Sequence, residues 1–395
     1  MKHKFISIPV FGILIVFLFS CHHRQGKGVT LDDCPVVAHK AGSLTVLDIS
    51  SVKDTVYVPL STFLSDFEMI RLENSDEALI GLTMAVAVSK HYIGVFCVQT
   101  RAYKLFNQQG DYIRNISSVG QGPDEFLALY DSYIDEENNR IYLLPYRATK
   151  LLVFDIEGNA QQHIRLPFPV HKGRFRIDSE KKELIMTAMP FSDTPFVVWR
   201  QDFDGNILQG IEAGHFVIEP GDYANEVNES QNTTFMDFSL LYWMPRADSL
   251  YHYDEVKNVL DPTFTVSWKD VIIRHGYSEL PHHFFVDLVL QSAPPNSTSM
   301  PQPPLIIVNK NNLRGSYAKI KFDMLGDIDG PSELFFNRGY FYAVMFTYEL
   351  KEQLENALSK PENLTLAMKE KLEQLNSSLT EDDNNVFFIG KLKED

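Results

Sequence analysis

Residues 92–116 read YIGVFCVQTRAYKLFNQQGDYIRNI and give the clearest indication of the fold. Two short runs rich in Val, Phe, Tyr and Leu flank a polar loop, and a third run follows the turn NQQGD. Short runs of this composition, separated by turns, predict consecutive β-strands. Gly110 in the turn can adopt the positive φ that closes a tight hairpin without steric strain. The stretch therefore predicts an antiparallel sheet.

The same pattern recurs twice further along the chain. Residues 141–166 read IYLLPYRATKLLVFDIEGNAQQHIRL, and residues 183–211 read ELIMTAMPFSDTPFVVWRQDFDGNILQGI. The turn glycines are Gly110, Gly158 and Gly205, separated by 48 and 47 residues. A repeat of forty-odd residues, each with several short strands, is typical of propeller blades. We therefore predict that these glycines lie at hairpin tips between the same two strands of successive blades.

Further segments match the pattern less closely and would complete a ring of blades. They are residues 249–268 and 305–322, with a last strand pair at 340–350 and 386–392. Residues 66–72 form one more strand, which can complete the last blade by pairing with the C-terminal strands. Such closure removes the free strand edges of an open array. The sequence thus predicts an all-β fold, a six-bladed β-propeller formed by residues 44–395.

Two segments depart from the repeat. Residues 278–304 contain six prolines and predict a long connection, with one helical turn at 284–290. In residues 364–379, Leu and Met recur every three or four positions, which predicts a helix. Pro361 stands near its start. We expect a helical insertion near 351–379 that packs on the propeller.

The N-terminus has the features of a lipoprotein signal. Lys2 and Lys4 precede an apolar run at residues 5–19, which is short for a membrane span, and residues 18–21 read Leu-Phe-Ser-Cys. The pattern predicts a signal peptide at 1–20. An ordinary signal peptide followed by an incidental cysteine is the alternative.

Cys21 would then become the first residue of the mature chain and carry the lipid. Residues 21–43 are polar, contain Gly and Pro, and are interpreted as a tether. No aspartate retention residue follows Cys21, which favours an outer-membrane lipoprotein of the cell envelope, facing either the periplasm or the medium. The lipid anchor would be the contact with the membrane.

Composition excludes one class of partner. The 395 residues include 52 acids and 36 Lys or Arg, giving a net charge of −16. Nucleic acid is not expected as a partner, because phosphate backbones require a basic surface. Besides Cys21, only Cys34 and Cys97 are present, so there is no disulfide framework. A free, buried thiol at Cys97 is favoured over a bridge to Cys34.

Several stretches together resemble a known family. They are SDFEMIRLENSDEALIG (65–81), LFNQQGDYIRNI (105–116), VGQGPDEF (119–126), IDEENNRIYLL (134–144) and VFDIEGN (153–159). They are similar to the six-bladed β-propeller lipoproteins of gut-type Gram-negative bacteria, a large family of uncharacterised function. Members commonly carry Gly-Glu-Tyr after the proline, where this chain has Asp124, Glu125 and Phe126. The resemblance implies a propeller in the cell envelope, but no reaction and no ligand.

The block VGQGPDEF supplies the candidate site residues. It connects two predicted blades, on the side where loops surround the central channel. Gln121, Asp124 and Glu125 are the candidate ligand-binding residues, because their polar groups could bind sugar hydroxyls or help to hold a hard cation. In the alternative interpretation, Gly120 and Gly122 shape the crossover and Glu125 pairs within it.

Metal and catalytic motifs are not recognisable. His282 and His283 are adjacent, and no matching acid or cysteine spacing follows, so we interpret them as exposed loop residues and predict no metal site. Calcium remains a candidate cofactor. No serine-hydrolase elbow, zinc-protease helix, phosphate loop or dinucleotide fingerprint is present, so the catalytic residues are unknown.

Three functions are consistent with the sequence. The first is a monomeric, lipid-anchored envelope propeller that binds a glycan or a peptide at the channel mouth without catalysis. The second is a metal-dependent propeller hydrolase or lyase, since propeller enzymes assemble their sites from scattered residues. The third is a scaffold subunit of an outer-membrane complex.

Overall fold

Six β-sheets surround one central channel in the computed structural model, which describes residues 30–218, 224–289 and 304–394. Each sheet is one blade, and the blades follow one another in chain order. This confirms the predicted six-bladed β-propeller. The middle strands are buried on both sides, because each blade packs face to face against its neighbours. For this reason residues 92–98 form a nearly continuous apolar run.

The strands have the following bounds. Four of them precede the first complete blade: β1 (Ala38–Ala41), β2 (Leu44–Asp48), β3 (Thr55–Pro59) and β4 (Glu68–Arg71). Blade 1 contains β5 (Thr83–Val88), β6 (Tyr92–Cys97), β7 (Ala102–Asn107) and β8 (Tyr112–Ser118). Blade 2 contains β9 (Leu129–Asp135), β10 (Arg140–Pro145), β11 (Ala148–Phe154) and β12 (Ile164–Val170). Blade 3 contains β13 (Gly173–Asp178), β14 (Glu183–Ala188), β15 (Phe196–Asp202) and β16 (Ile207–Glu212).

The second half of the ring is less regular. Blade 4 contains β17 (Glu226–Asn228), β18 (Met236–Leu241), β19 (Ser249–Asp254) and β20 (Val259–Ser267). Blade 5 contains β21 (His275–Glu279), β22 (His283–Leu288), β23 (Leu305–Asn309), β24 (Gly315–Phe322) and the short β25 (Ile328–Asp329). Blade 6 contains β26 (Phe335–Asn337), β27 (Tyr340–Met345), β28 (Val386–Lys391) and, from the N-terminal part of the chain, β4.

The ring closes through β4 and β28. These strands are antiparallel, with Ile70 opposite Phe387 and Arg71 opposite Val386. The N-terminal strand thus completes the C-terminal blade, as the sequence predicts for residues 66–72. Closure covers an edge of β28 that would otherwise expose unpaired backbone groups.

The three turn glycines lie where the repeat places them. Gly110, Gly158 and Gly205 have φ values of 90°, 84° and 91°, and each lies between the third and fourth strands of its blade. These turns, together with those between first and second strands, open on one end of the propeller, which we call the hairpin face. The connections between blades and the second-to-third turns open on the opposite end, the crossover face.

The N-terminal segment differs from the expected tether. Residues 31–33 form a 3-10 turn and β1 pairs with β2, so ordered structure begins before residue 44. β2 adds in parallel to β20 and β3 adds in parallel to β24, extending blades 4 and 5. Burial of Leu31 and Cys34 in the core explains the order of this segment. The predicted signal peptide and Cys21 lie outside the described residues.

Two helices interrupt blade 6 between β27 and β28. They are α1 (Thr347–Leu358) and α2 (Leu366–Ser378), and Leu372 of α2 is buried in the core. The helical stripe is therefore confirmed. The connection predicted at 278–304 is wrong in part, because residues 283–288 form β22 rather than a helical turn. β22 is an inner strand buried on both faces, which removes the alternation that marks a strand in sequence.

Candidate functional site

The candidate residues of the VGQGPDEF block lie in one turn on the crossover face, between β8 and β9. The Glu125 carboxylate accepts a hydrogen bond from the backbone N–H of Gly122 at 2.7 Å. A Cβ at Gly120 would overlap that carboxylate, so the missing side chain makes room for it. The Glu125 carboxylate thus stabilises the turn in which Glu125 itself lies. Gln121 is exposed and contributes no hydrogen bond within the described part of the chain.

Asp124 points to a different neighbour. Its Oδ1 lies 2.9 Å from Nε2 of His163, and its backbone carbonyl accepts a hydrogen bond from Ser117 Oγ. Phe126 at the end of the block is buried, edge-on to Phe96. The structure therefore brings Asp124 and Glu125 together in a supporting turn, and neither they nor Gln121 line the two cavities described below.

Arg338 reaches across the central channel. Arg338 lies in the turn after β26 of blade 6, and its guanidinium donates to the carbonyl of Ser132 at 2.6 Å and to that of Phe175 at 2.8 Å. It also lies 3.2 Å from Asp131, while its backbone N–H donates to Ser230. One side chain therefore joins blade 6 to blades 2 and 3 across the axis.

A buried carboxyl group lies beside this arginine. Glu229 accepts hydrogen bonds from Thr187 Oγ1 at 2.8 Å and from Gln231 Nε2 at 2.5 Å. Burial raises the pKa of Glu229 to about 8, even though Thr187 and Arg338 favour its charged form. The carboxyl group is therefore largely protonated at neutral pH and acts as part of a neutral polar network.

The hairpin face carries a cavity of about 660 Å³ between blades 3 and 4. Its lining comes from separate turns and strands: Ser43, Arg176, Ile185, Thr234, Phe235, Met236, His252, Tyr253, Asp254, Glu255, Lys257, Asp261, Pro262 and Thr263. The volume is within the range of small-ligand sites. An aromatic ring, cations, carboxylates and hydroxyls all converge there, which suits a ligand with both a flat apolar surface and polar groups.

Phe235 is the apolar centre of this cavity. It is 56% exposed, and its ring stacks on that of His252 at a centroid distance of 4.5 Å and an angle of 11°. His252 Nε2 lies 2.5 Å from the buried Glu279, whose other oxygen lies 2.5 Å from Lys310. Burial alone would raise the pKa of Glu279, but the bonds from His252 and Lys310 hold it below its ordinary value. Glu279 of blade 5 thus holds the His252 ring in place beneath the exposed Phe235.

A second cavity of about 300 Å³ lies between blades 2 and 3 on the same face. Both cavities are lined by Arg176, Ile185 and Glu255. They therefore adjoin one another, and we call them together the trough. The trough crosses blades 2, 3 and 4 and has room for several units of a linear ligand.

The structure also bears on the metal prediction. Within residues 30–218, 224–289 and 304–394, no group of three or more His, Cys, Asp or Glu has the arrangement of a metal site. The interpretation of the adjacent histidines as exposed loop residues is wrong for His283, which begins β22 and packs edge-on against Phe63. Burial lowers the pKa of His283 to about 4, so its ring stays neutral.

Sequence reasoning missed the trough. Its residues belong to the sheets of three blades and lie between positions 43 and 263, so no linear motif contains them. One weak signal exists: Phe235 follows the polar run Ser230–Thr234, an unusual place for a large aromatic residue.

The sheets and their closure define the class of this protein as a six-bladed β-propeller. The chain belongs to the family described as "Domain of unknown function (DUF4934)", whose model matches residues 44–391. A comparison with curated proteins finds no match. Membership of this family therefore assigns no activity to the chain.

Solved structures with low sequence identity are similar to this chain. A putative exported protein from Bacteroides fragilis is 14% identical, with 85% of this chain and 97% of that chain covered and a TM-score of 0.57. A member of the duf4221 family from Bacteroides vulgatus is 12% identical, covering 84% and 97%, with a TM-score of 0.47. In the described part of this chain, no helix has the length and apolar character needed to cross a bilayer.

Proposed function

We propose that this protein is a lipid-anchored β-propeller of the bacterial cell envelope that binds a glycan or peptide in the trough, without catalysis. The signal-like residues 1–20 and Cys21 support the anchor, and the similarity to a putative exported protein supports export. The expected location is the outer membrane. We place the proposed binding site in the trough rather than in the VGQGPDEF block, because the carboxylate of Glu125 already accepts a hydrogen bond from Gly122 in its own turn.

The exposed ring of Phe235 carries the binding proposal. An exposed phenylalanine stacked on a fixed histidine offers a rigid flat surface, on which a sugar ring or an apolar side chain can lie. Polar groups around it supply hydrogen bonds that orient the ligand. His252 uses Nε2 for Glu279 and one ring face for Phe235, which suits support of the ring rather than proton transfer.

A thermal-shift screen tests binding. The full-length chain in detergent is heated with a panel of glycans and peptides, with calcium or with EDTA, because a ligand of the folded state raises its melting temperature. We expect at least one ligand class to stabilise the wild type and to lose this effect in Phe235→Ala.

Val256→Ala is the matched control for that screen. Val256 is 90% exposed on the turn between β19 and β20, and it does not line the trough. Its variant should respond as the wild type does. Equal shifts in Phe235→Ala and the wild type would overturn the proposed site, and a shift that requires calcium would favour a metal-dependent protein.

The anchor is tested separately at Cys21. Cys21→Ser removes the thiol that would be acylated, so we expect the protein to lose incorporated palmitate. A variant that still incorporates label would contradict the lipoprotein assignment.

A further inference from the structure

The smaller cavity of the trough is strongly acidic. Six carboxylates line it: Asp135, Glu137, Asp178, Glu180, Glu183 and Glu255. Arg176 is the cation that shares this lining. Carboxylates gathered at a concave surface repel anions and attract cations, and the wall of a cavity strengthens both effects. A sulfated or uronic-acid glycan is therefore a poor fit.

Neighbouring cations neutralise only part of this charge. Asp178 is paired with Lys181 at 2.8 Å, and Arg200 lies 3.3 Å from Glu183 and 4.0 Å from Glu255. Glu137 and Glu180 are exposed, and their carboxylates have no hydrogen bond or ion pair within the described residues. These two carboxylates can each accept hydrogen bonds from a bound ammonium or guanidinium group.

The apolar surface lies next to this acidic cavity. Arg176, Ile185 and Glu255 are common to both cavities, so a ligand seated on Phe235 reaches the acidic part through a shared wall. A ligand that contacts both Phe235 and the acidic cavity needs a flat apolar group and, close to it along the same chain, a cationic group. A peptide with an aromatic residue beside lysine or arginine has this chemistry, whereas a neutral glycan uses the ring surface alone.

From this arrangement we infer that the ligand of the trough is a basic peptide segment, with an aromatic or apolar side chain on Phe235 and a lysine or arginine between Glu137 and Glu180. The inference rests on the proposed function, because it names the ligand class for the same site. It adds that recognition depends on the carboxylates of the smaller cavity as well as on the ring of Phe235 in the larger one.

Fluorescence anisotropy on the full-length chain tests the inference. The probe is a fluorescein-labelled hexapeptide with a tryptophan flanked by two lysines, and a matched probe has glutamines in place of the lysines. Measurements at physiological salt limit long-range attraction between the probe and an acidic protein. The wild type should bind the lysine probe at least about tenfold more tightly than the glutamine probe.

Two double variants separate local from global charge. Glu137→Lys with Glu180→Lys should weaken binding of the lysine probe at least about tenfold. Glu381→Lys with Asp382→Lys changes the net charge equally in an exposed segment after α2, and should leave binding unchanged. Phe235→Ala should weaken binding of both probes. Unchanged melting temperatures show that each variant is folded.

The outcomes distinguish this inference from the proposed function. Equal effects of the two double variants, or equal binding of the two probes, would overturn the basic-peptide inference. If a neutral oligosaccharide such as cellohexaose binds in a Phe235-dependent way while the lysine probe does not, the trough remains the site and the ligand class is wrong. Absence of Phe235-dependent binding for every probe would overturn both.

Discussion

At the scale of single residues, Arg338 holds the centre of the ring together. It is 14% exposed at its side chain, and Asp131 beside it is 5% exposed. Removing Arg338 takes the donor away from the carbonyls of Ser132 and Phe175, while Asp131 keeps Arg174 as a second cation at 3.5 Å. Because buried carbonyls left without a donor are costly, we expect Arg338→Met to lower the free energy of unfolding by about 2 to 4 kcal/mol in urea denaturation.

Arg147→Met is the control for that change. Arg147 also has a positive φ, 56° against 52° for Arg338, but it is exposed. Both substitutions place methionine at a positive φ, so their effects on backbone strain should be equal. They differ in the side-chain contacts that are removed. Similar losses of stability in both variants would show that the bonds across the channel contribute little.

Glu229 gives a prediction about pH. Its pKa rises from an ordinary 4.5 to about 8, so the folded chain binds this proton more tightly than the unfolded chain does. The wild type therefore loses stability from this group as pH rises from about 4.5 to 8, by at most about 1.4 kcal/mol per pH unit. Glu229→Gln does not titrate, and its melting temperature should exceed that of the wild type increasingly toward pH 8.

The test compares melting curves of both proteins across that pH range. Glu381→Gln, at an exposed position, is the control and should follow the wild type at every pH. A constant difference between Glu229→Gln and the wild type would show that Glu229 is charged in the folded protein.

At the scale of elements, the hairpin glycines are not equivalent. A Cβ at Gly110 would overlap the carbonyl oxygen of Arg71 in β4, whereas one at Gly158 has its nearest neighbour, a side-chain atom of Arg114, at 3.4 Å. Both positions have similar positive φ values, so alanine costs about 1 to 2 kcal/mol of backbone strain at each.

Gly110→Ala should therefore lower the melting temperature clearly more than Gly158→Ala does, because it also displaces the strand that closes the ring. Calorimetry of the two variants measures the difference. Equal losses would mean that the contact between the blade 1 hairpin and β4 is not needed for closure.

The sequence predicts elements whose hydrogen bonds are local. Blades 1 to 3 are consecutive hairpins with a repeated turn glycine, so their period is visible. β1 to β3 are harder to place, because β2 and β3 join their blades in parallel, with partners more than two hundred residues away. β22 is buried on both faces and follows a proline, so it lacks the pattern of a strand.

At the scale of the whole molecule, the site depends on how the ring brings distant turns together. Gln121, Asp124 and Glu125 stand out in sequence because glycines and a proline surround them, and the structure shows that Gly120 and Gly122 accommodate the Glu125 carboxylate. The trough has no such marker, since Arg176, Phe235 and Glu255 belong to different turns and strands. A linear pattern reveals the local turn, while ligand cavities of propellers form only after closure.

Hydrogen exchange of the full-length chain, with and without the tightest ligand from the screen, tests whether the ligand binds in the trough. We expect the ligand to slow exchange in the turns of the trough, residues 229–236 and 254–258, and to leave residues 119–126 unchanged. Protection confined to residues 119–126 would show that the ligand binds the crossover face and would overturn the trough as the binding site.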